Sequence, residues 1–104
     1  MVQRSIIDGI SIEEIPQHEI KYSFEKIELH LKKVIKKARA DWITSDVYVA
    51  LREGEAVLYM FYKEDVYVGF LILEFLKNKS GEVTLHIWAT YQKPEYNYVK
   101  AGFD

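Results

Sequence analysis

Gly54 divides the chain between two hydrophobic rhythms, and that change of period limits the folds open to it most. Upstream, Ile20, Phe24, Ile27, Leu31, Val34, Ile35, Ala38 and Trp42 recur in steps of three and four. This spacing predicts an amphipathic helix over about 19–41, with Lys26, Lys33, Lys36 and Lys37 on its opposite side. Ser23 is a second start signal one turn in, and lysines toward the C-terminal half suit the helix dipole. Ser45 as N-cap and Gly54 just past the end then bracket a short helix over 46–53. Downstream the period is two, and 55–63, 66–77 and 82–91 read as strands. Glu64-Asp65 makes a tight first turn, and Asn78–Gly81 a longer second one. A short strand over 10–15, ISIEEI, precedes Pro16. The prediction is an α+β chain: an antiparallel sheet of three to four strands, with one long and one short N-terminal helix on one face.

The totals narrow the class. At 104 residues the chain is expected to be one domain: helices over 19–53, a meander over 55–91 and a tail over 92–104. Hydrophobic residues make up 49% and aromatic residues 14%, which fits a globular protein and not a disordered one. No apolar run approaches the roughly 20 residues of a membrane-spanning helix, and MVQRSIIDG carries no signal-peptide core. The absence of cysteine excludes disulfides, thiolate metal sites and cysteine nucleophiles, and a cytoplasmic setting is expected. Seven basic residues over 21–39 stand against Glu25 and Glu28, a local +5 that leaves −7 for the remainder.

Both sheet faces read as apolar. Pairing Lys63 with Val66, and Lys77 with Glu82, gathers Val57, Tyr59, Phe61, Val68, Phe70, Ile72, Leu85, Ile87 and Ala89 on one face. Leu58, Met60, Tyr62, Leu71, Leu73, Phe75, His86 and Trp88 fall on the other. Two helices can cover only one face, so the other needs a cover. Candidates are the aromatic tail, the N-terminal segment or a second chain. The expected interface comprises Leu71, Leu73, Phe75 and Trp88 of the sheet, with Tyr96, Tyr98 and Phe103 of the tail.

The order strand, long helix, short Gly-capped helix and three-stranded meander resembles the first half of the GCN5-related N-acetyltransferase (GNAT) fold. The pieces ending at Gly54, then AVLYMF, GFLILEF and LHIWAT, look like those of small GNAT-like proteins carried by tailed bacteriophages. That resemblance implies a GNAT-like architecture and a virion-associated alternative to the cytoplasm. In working members, the strand corresponding to LHIWAT runs into a glycine-rich loop that opens a helix and holds the acetyl-CoA pyrophosphate. Here Gln92 is followed by Lys93, Pro94 and Glu95, with no glycines. The ending YVKAGF resembles a late family pattern whose tyrosine protonates the CoA thiolate, but the helix and strand that should precede Tyr98 are missing. The resemblance therefore implies no complete acetyl-CoA site, no cofactor and no catalytic role for Tyr98.

Other chemistries find little purchase. His18, His30 and His86 are too dispersed for a metal signature. The pairing above places His86 and Glu74 on opposite faces, which separates them as an acid–base pair. Glu25 and Glu28 lack the Glu-x-x-His partners of a di-iron site. Neither a P-loop nor a G-x-S-x-G motif occurs. The basic helix face, Lys26, Lys33, Lys36, Lys37 and Arg39, is a candidate for nucleic-acid phosphates or an acidic protein, though a pI of about 5.9 argues against a dedicated nucleic-acid binder. The preferred reading is a non-enzymatic assembly or interaction protein, such as a phage or prophage component. The alternatives are an N-acyltransferase completed by a second chain and a small nucleic-acid-binding regulator.

Overall fold

The structure, a computed structural model, describes the backbone of residues 4–7 and all of residues 9–93. Strands β1 (Arg4–Ile7) and β2 (Ile10–Ile15) come first, followed by a single turn of 3-10 helix at Gln17–Glu19. Helices α1 (Ile20–Ala38) and α2 (Thr44–Glu53) follow, then β3 (Ala56–Lys63), β4 (Val66–Lys77) and β5 (Val83–Gln92). The five strands form one sheet in chain order, every neighbouring pair antiparallel. The architecture is α+β as expected, with one strand more than the sequence reading allowed. The extra strand is β1, where Ile7 pairs with Ile10. Asp8-Gly9 is a strong hairpin signal between them, and Gly9 takes the positive φ of 78° that such a turn requires.

Both helices lie against one sheet face. Ile20, Phe24, Ile27 and Leu31 of α1 join Val47 and Leu51 of α2 over Leu58, Met60, Phe70, Ile72 and Ala89 of the sheet. Each large side chain buried there contributes about 1.5–3 kcal/mol. The helix α1 stops four residues before the hydrophobic period does. Arg39 adopts a left-handed conformation (φ 52°), and the Ala40 N–H turns back to the Ile35 carbonyl at 3.1 Å. Trp42 thus leaves the helical stripe and meets Trp88 edge-on, ring centroids 5.5 Å apart. Ser23 does not start the helix; it is buried within it. Nor is Ser45 the N-cap of α2. The helix begins at Thr44, and the Asp46 carboxylate accepts the Ile43 N–H at 2.9 Å, one half of a capping box. Gly54 closes α2 in the left-handed region, as its position predicted (φ 78°).

Two β-bulges overturn the face assignment. Lys63 does pair with Val66, through a turn in which Glu64 and Asp65 both have positive φ. The register then slips at Phe61/Tyr62, so Leu58 faces Ile72 and Met60 faces Phe70. In the second hairpin Lys77 pairs with Val83, not Glu82, because the Asn78 side-chain oxygen accepts from the N–H groups of both Ser80 and Glu82 and lengthens the turn. A further slip at Ile72/Leu73 leaves Trp88 as the extra residue between Ile87 and Ala89. Phe70, Ile72 and Ala89 consequently lie under the helices. Leu71, Leu73, Phe75, Leu85 and Ile87 share the far face with Val57, Tyr59 and Phe61.

Gly69, at the first bulge, is there for space. A Cβ on it would lie 2.4 Å from the Tyr91 carbonyl oxygen, so no side chain fits between β4 and β5 at this point.

Candidate functional site

The far face of the sheet is covered only in part. Ile10, Phe61 and Val68 form a small buried cluster there, with Ile12, Tyr59 and Leu71 packed around it. Toward the β4–β5 hairpin that cover ends: Phe75, Val83, Leu85 and Ile87 are 43%, 60%, 60% and 50% exposed. They are cross-strand neighbours, with Phe75 opposite Leu85, Leu73 opposite Ile87 and Lys77 opposite Val83. The result is a continuous apolar strip, with Lys77 at the hairpin tip and Glu55 opposite Phe75 at its inner margin.

Among the described residues, β5 is also an edge of the sheet. The hydrogen-bond pattern shows which of its groups point outward. The Phe75 N–H donates to Glu55 on the β3 side, and the Asn78 N–H donates to the Glu82 carbonyl. Phe75 and Leu85 therefore form a non-hydrogen-bonded pair, and the N–H and C=O of Leu85 face the open edge. By the same alternation those of Val83 and Ile87 face it too. The residues with exposed side chains are thus also the residues whose backbone groups point away from β4.

Among the sequence-predicted interface residues, Leu71, Leu73 and Phe75 lie on this face. Trp88 does not; the β5 bulge turns it toward Trp42 and the helices. Tyr96, Tyr98 and Phe103 lie outside the described residues. Lys26, Lys33, Lys36, Lys37 and Arg39 are all exposed on or just past α1.

His86 and Glu74 are direct partners, not residues on opposite faces: Nδ1 lies 2.8 Å from the carboxylate oxygen. Such a pair can pass a proton. The His86 side chain is 58% exposed and that of Glu74 24%, so the contact lies at the surface. A second cluster escaped the sequence reading. His30 of α1 stacks on Tyr91 at 4.3 Å between centroids and on Tyr67 at 5.7 Å, and its Nδ1 lies 3.3 Å from the Tyr67 hydroxyl. Desolvation, then Lys33 and Lys93, hold the His30 imidazole below its ordinary pKa. Burial pushes the Tyr67 phenol well up. His30 sits at the edge of the apolar stripe, where periodicity alone gives no reason to single it out. The arrangement packs the middle of α1 onto β4 and β5.

A cleft of about 550 Å³ opens at the far end of β3, lined by Glu14, Ile20, Leu51, Ala56, Val57 and Phe75 among others. Burial raises the pKa of Tyr59 nearby, with the Glu14 carboxylate adding to the effect. Among the described residues, no group of three His, Asp or Glu could hold a metal, and no helix is long and apolar enough to cross a membrane.

This arrangement, a helix pair on one face of an antiparallel meander, is a GNAT-like fold. Two solved structures bear that out. An aminoglycoside acetyltransferase, meta-AAC0020, from an uncultured soil metagenomic sample superposes with a TM-score of 0.57 at 12% identity, over 96% of this chain and 76% of that chain. A possible acetyltransferase from Clostridium difficile 630 gives 0.55 at 15% identity, over 93% and 74%. At such identities the likeness concerns the fold, and it carries no association with phage. No protein-family model matches the sequence, and no curated protein resembles it in sequence.

Proposed function

We propose that this chain is a non-catalytic association module built on a GNAT-like scaffold. It works by docking the β4–β5 face onto an apolar surface of another polypeptide. The observation that carries the reading is the strip of Phe75, Val83, Leu85 and Ile87, each 43–60% exposed and mutually adjacent. Lone soluble domains rarely expose contiguous apolar area of this kind, whereas interfaces do. Phe75, Val83, Leu85 and Ile87 are all apolar, so the matching surface is expected to be apolar as well. The narrower idea, a component of a phage or prophage particle, rests on the sequence resemblance alone.

A second reading, an acyltransferase completed by another chain, is favoured by the solved neighbours, one an aminoglycoside acetyltransferase and the other a possible acetyltransferase. Calorimetry with acetyl-CoA separates the two. The association reading expects no heat of binding; micromolar affinity would replace it with the enzyme. Light scattering with pull-down supplies the complementary test, since a monodisperse monomer that retains no partner contradicts docking.

A further inference from the structure

We infer that the occupant of this surface is a second copy of the chain, joined by antiparallel pairing of β5 with β5 about a two-fold axis at Leu85. The inference rests on the docking reading and names its partner and geometry. Three observations converge on it.

The first is the composition of the edge strand. Sheet edges are usually protected by proline, lysine or a covering element. From Val83 to Gln92, β5 holds no proline and no Lys, Arg, Asp or Glu.

The second is symmetry. The regular part of β5 runs from Val83 to Ile87, where the Trp88 bulge interrupts it. Val83, Leu85 and Ile87, the exposed apolar residues of this stretch, are arranged evenly about Leu85. Antiparallel pairing about Leu85 sets Leu85 against its own copy and Val83 against Ile87 on both sides. Thr84 falls opposite His86, hydroxyl against imidazole, so no like charges meet. An isologous contact of this kind closes on itself as a dimer.

The third is backbone direction. Val83, Leu85 and Ile87 aim their N–H and C=O groups at the open edge, as the hydrogen bonds of Phe75 and Asn78 require. About this axis they become hydrogen-bonded pairs, with Leu85 exchanging both bonds with its copy. The apolar strips of the two molecules then run together across the axis. A two-fold on Thr84 or His86 would pair the same residues less evenly, and His86 directs its own backbone toward β4.

The chain contains no cysteine, so single cysteines report the register without background. In a hydrogen-bonded antiparallel pair the Cα atoms lie about 5.5 Å apart, within disulfide reach. Leu85→Cys should therefore give a disulfide-linked dimer under mild oxidation. Val83→Cys should not, because its counterpart lies four residues away along the strand, about 13 Å. The native full-length chain should be a dimer by light scattering. Leu85→Lys should be a monomer at the same concentration, with an unchanged circular dichroism spectrum. A native dimer in which folded Leu85→Cys fails to cross-link, or in which Leu85→Lys remains dimeric, overturns the strand pairing and leaves docking through the face standing. A native monomer overturns the second copy as occupant, and a native monomer that also retains no partner in pull-down overturns docking as well.

Discussion

The two faces of this one sheet are nearly equal in hydrophobic content and opposite in fate. Under the helices, Leu58, Met60, Phe70 and Ile72 are wholly buried, while on the far side Leu85 and Ile87 keep half or more of their surface in water. Composition cannot produce that difference. Helices α1 and α2 both come between β2 and β3, and both fold onto the same side. Apolar sequence states that a surface should be covered; topology decides which surface the chain covers by itself.

The largest expected effect comes from breaking the covered face. Phe70→Ala removes a ring with no exposed surface and should cost about 3–5 kcal/mol in urea unfolding. Gly69→Ala tests the same region from the backbone. Its Cβ would press on the Tyr91 carbonyl, and a loss of about 1–3 kcal/mol is expected as β4 and β5 part. The exposed face should behave otherwise. Leu85→Lys should shift monomer stability by no more than about 0.5 kcal/mol while it abolishes association, so that stability and oligomeric state separate in one variant.

A pH series sharpens the contrast most gently. The His30 pKa is lowered in the folded state, chiefly by desolvation and then by Lys33 and Lys93. The folded protein thus favours the neutral imidazole. The stability it contributes is present above the unfolded value near 6.5 and is lost as pH falls through that value toward the lowered one. His30→Gln should flatten the decline in melting temperature between about pH 7 and pH 5 relative to the native chain. A decline of equal slope in both would show that other groups govern acid sensitivity.

Much of this architecture is legible in the chain. The step of three and four from Ile20 to Leu31 locates α1, Gly54 locates the end of α2, and alternation locates β3 to β5 within a residue or so. What the sequence conceals is register. A bulge adds one residue to one strand and moves every later side chain to the other face. Three such adjustments, at Phe61/Tyr62, in the lengthened Asn78 turn and at Trp88, decide the positions of Phe70, Ile72 and Trp88. None has an unmistakable local signature, although Gly69 marks one of them. The bare face could still be inferred, because both sets of residues were apolar and either assignment left one set uncovered. The His86–Glu74 contact could not, since it depends on one residue of register. Asp8-Gly9 did carry a hairpin signal, and the four-residue strand before it is short enough to pass unnoticed.

The match between sheet order and chain order also has a kinetic consequence. Strands β3, β4 and β5 join through short turns, whereas β2 must await α1 and α2 before it can reach β3. Local pairings close faster than distant ones, so the meander is poised to form before the helices dock. During that interval both of its faces are uncovered. Yield on refolding should then depend on dilution and on the speed of helix docking, because the same strip that joins two finished molecules can also trap two unfinished ones.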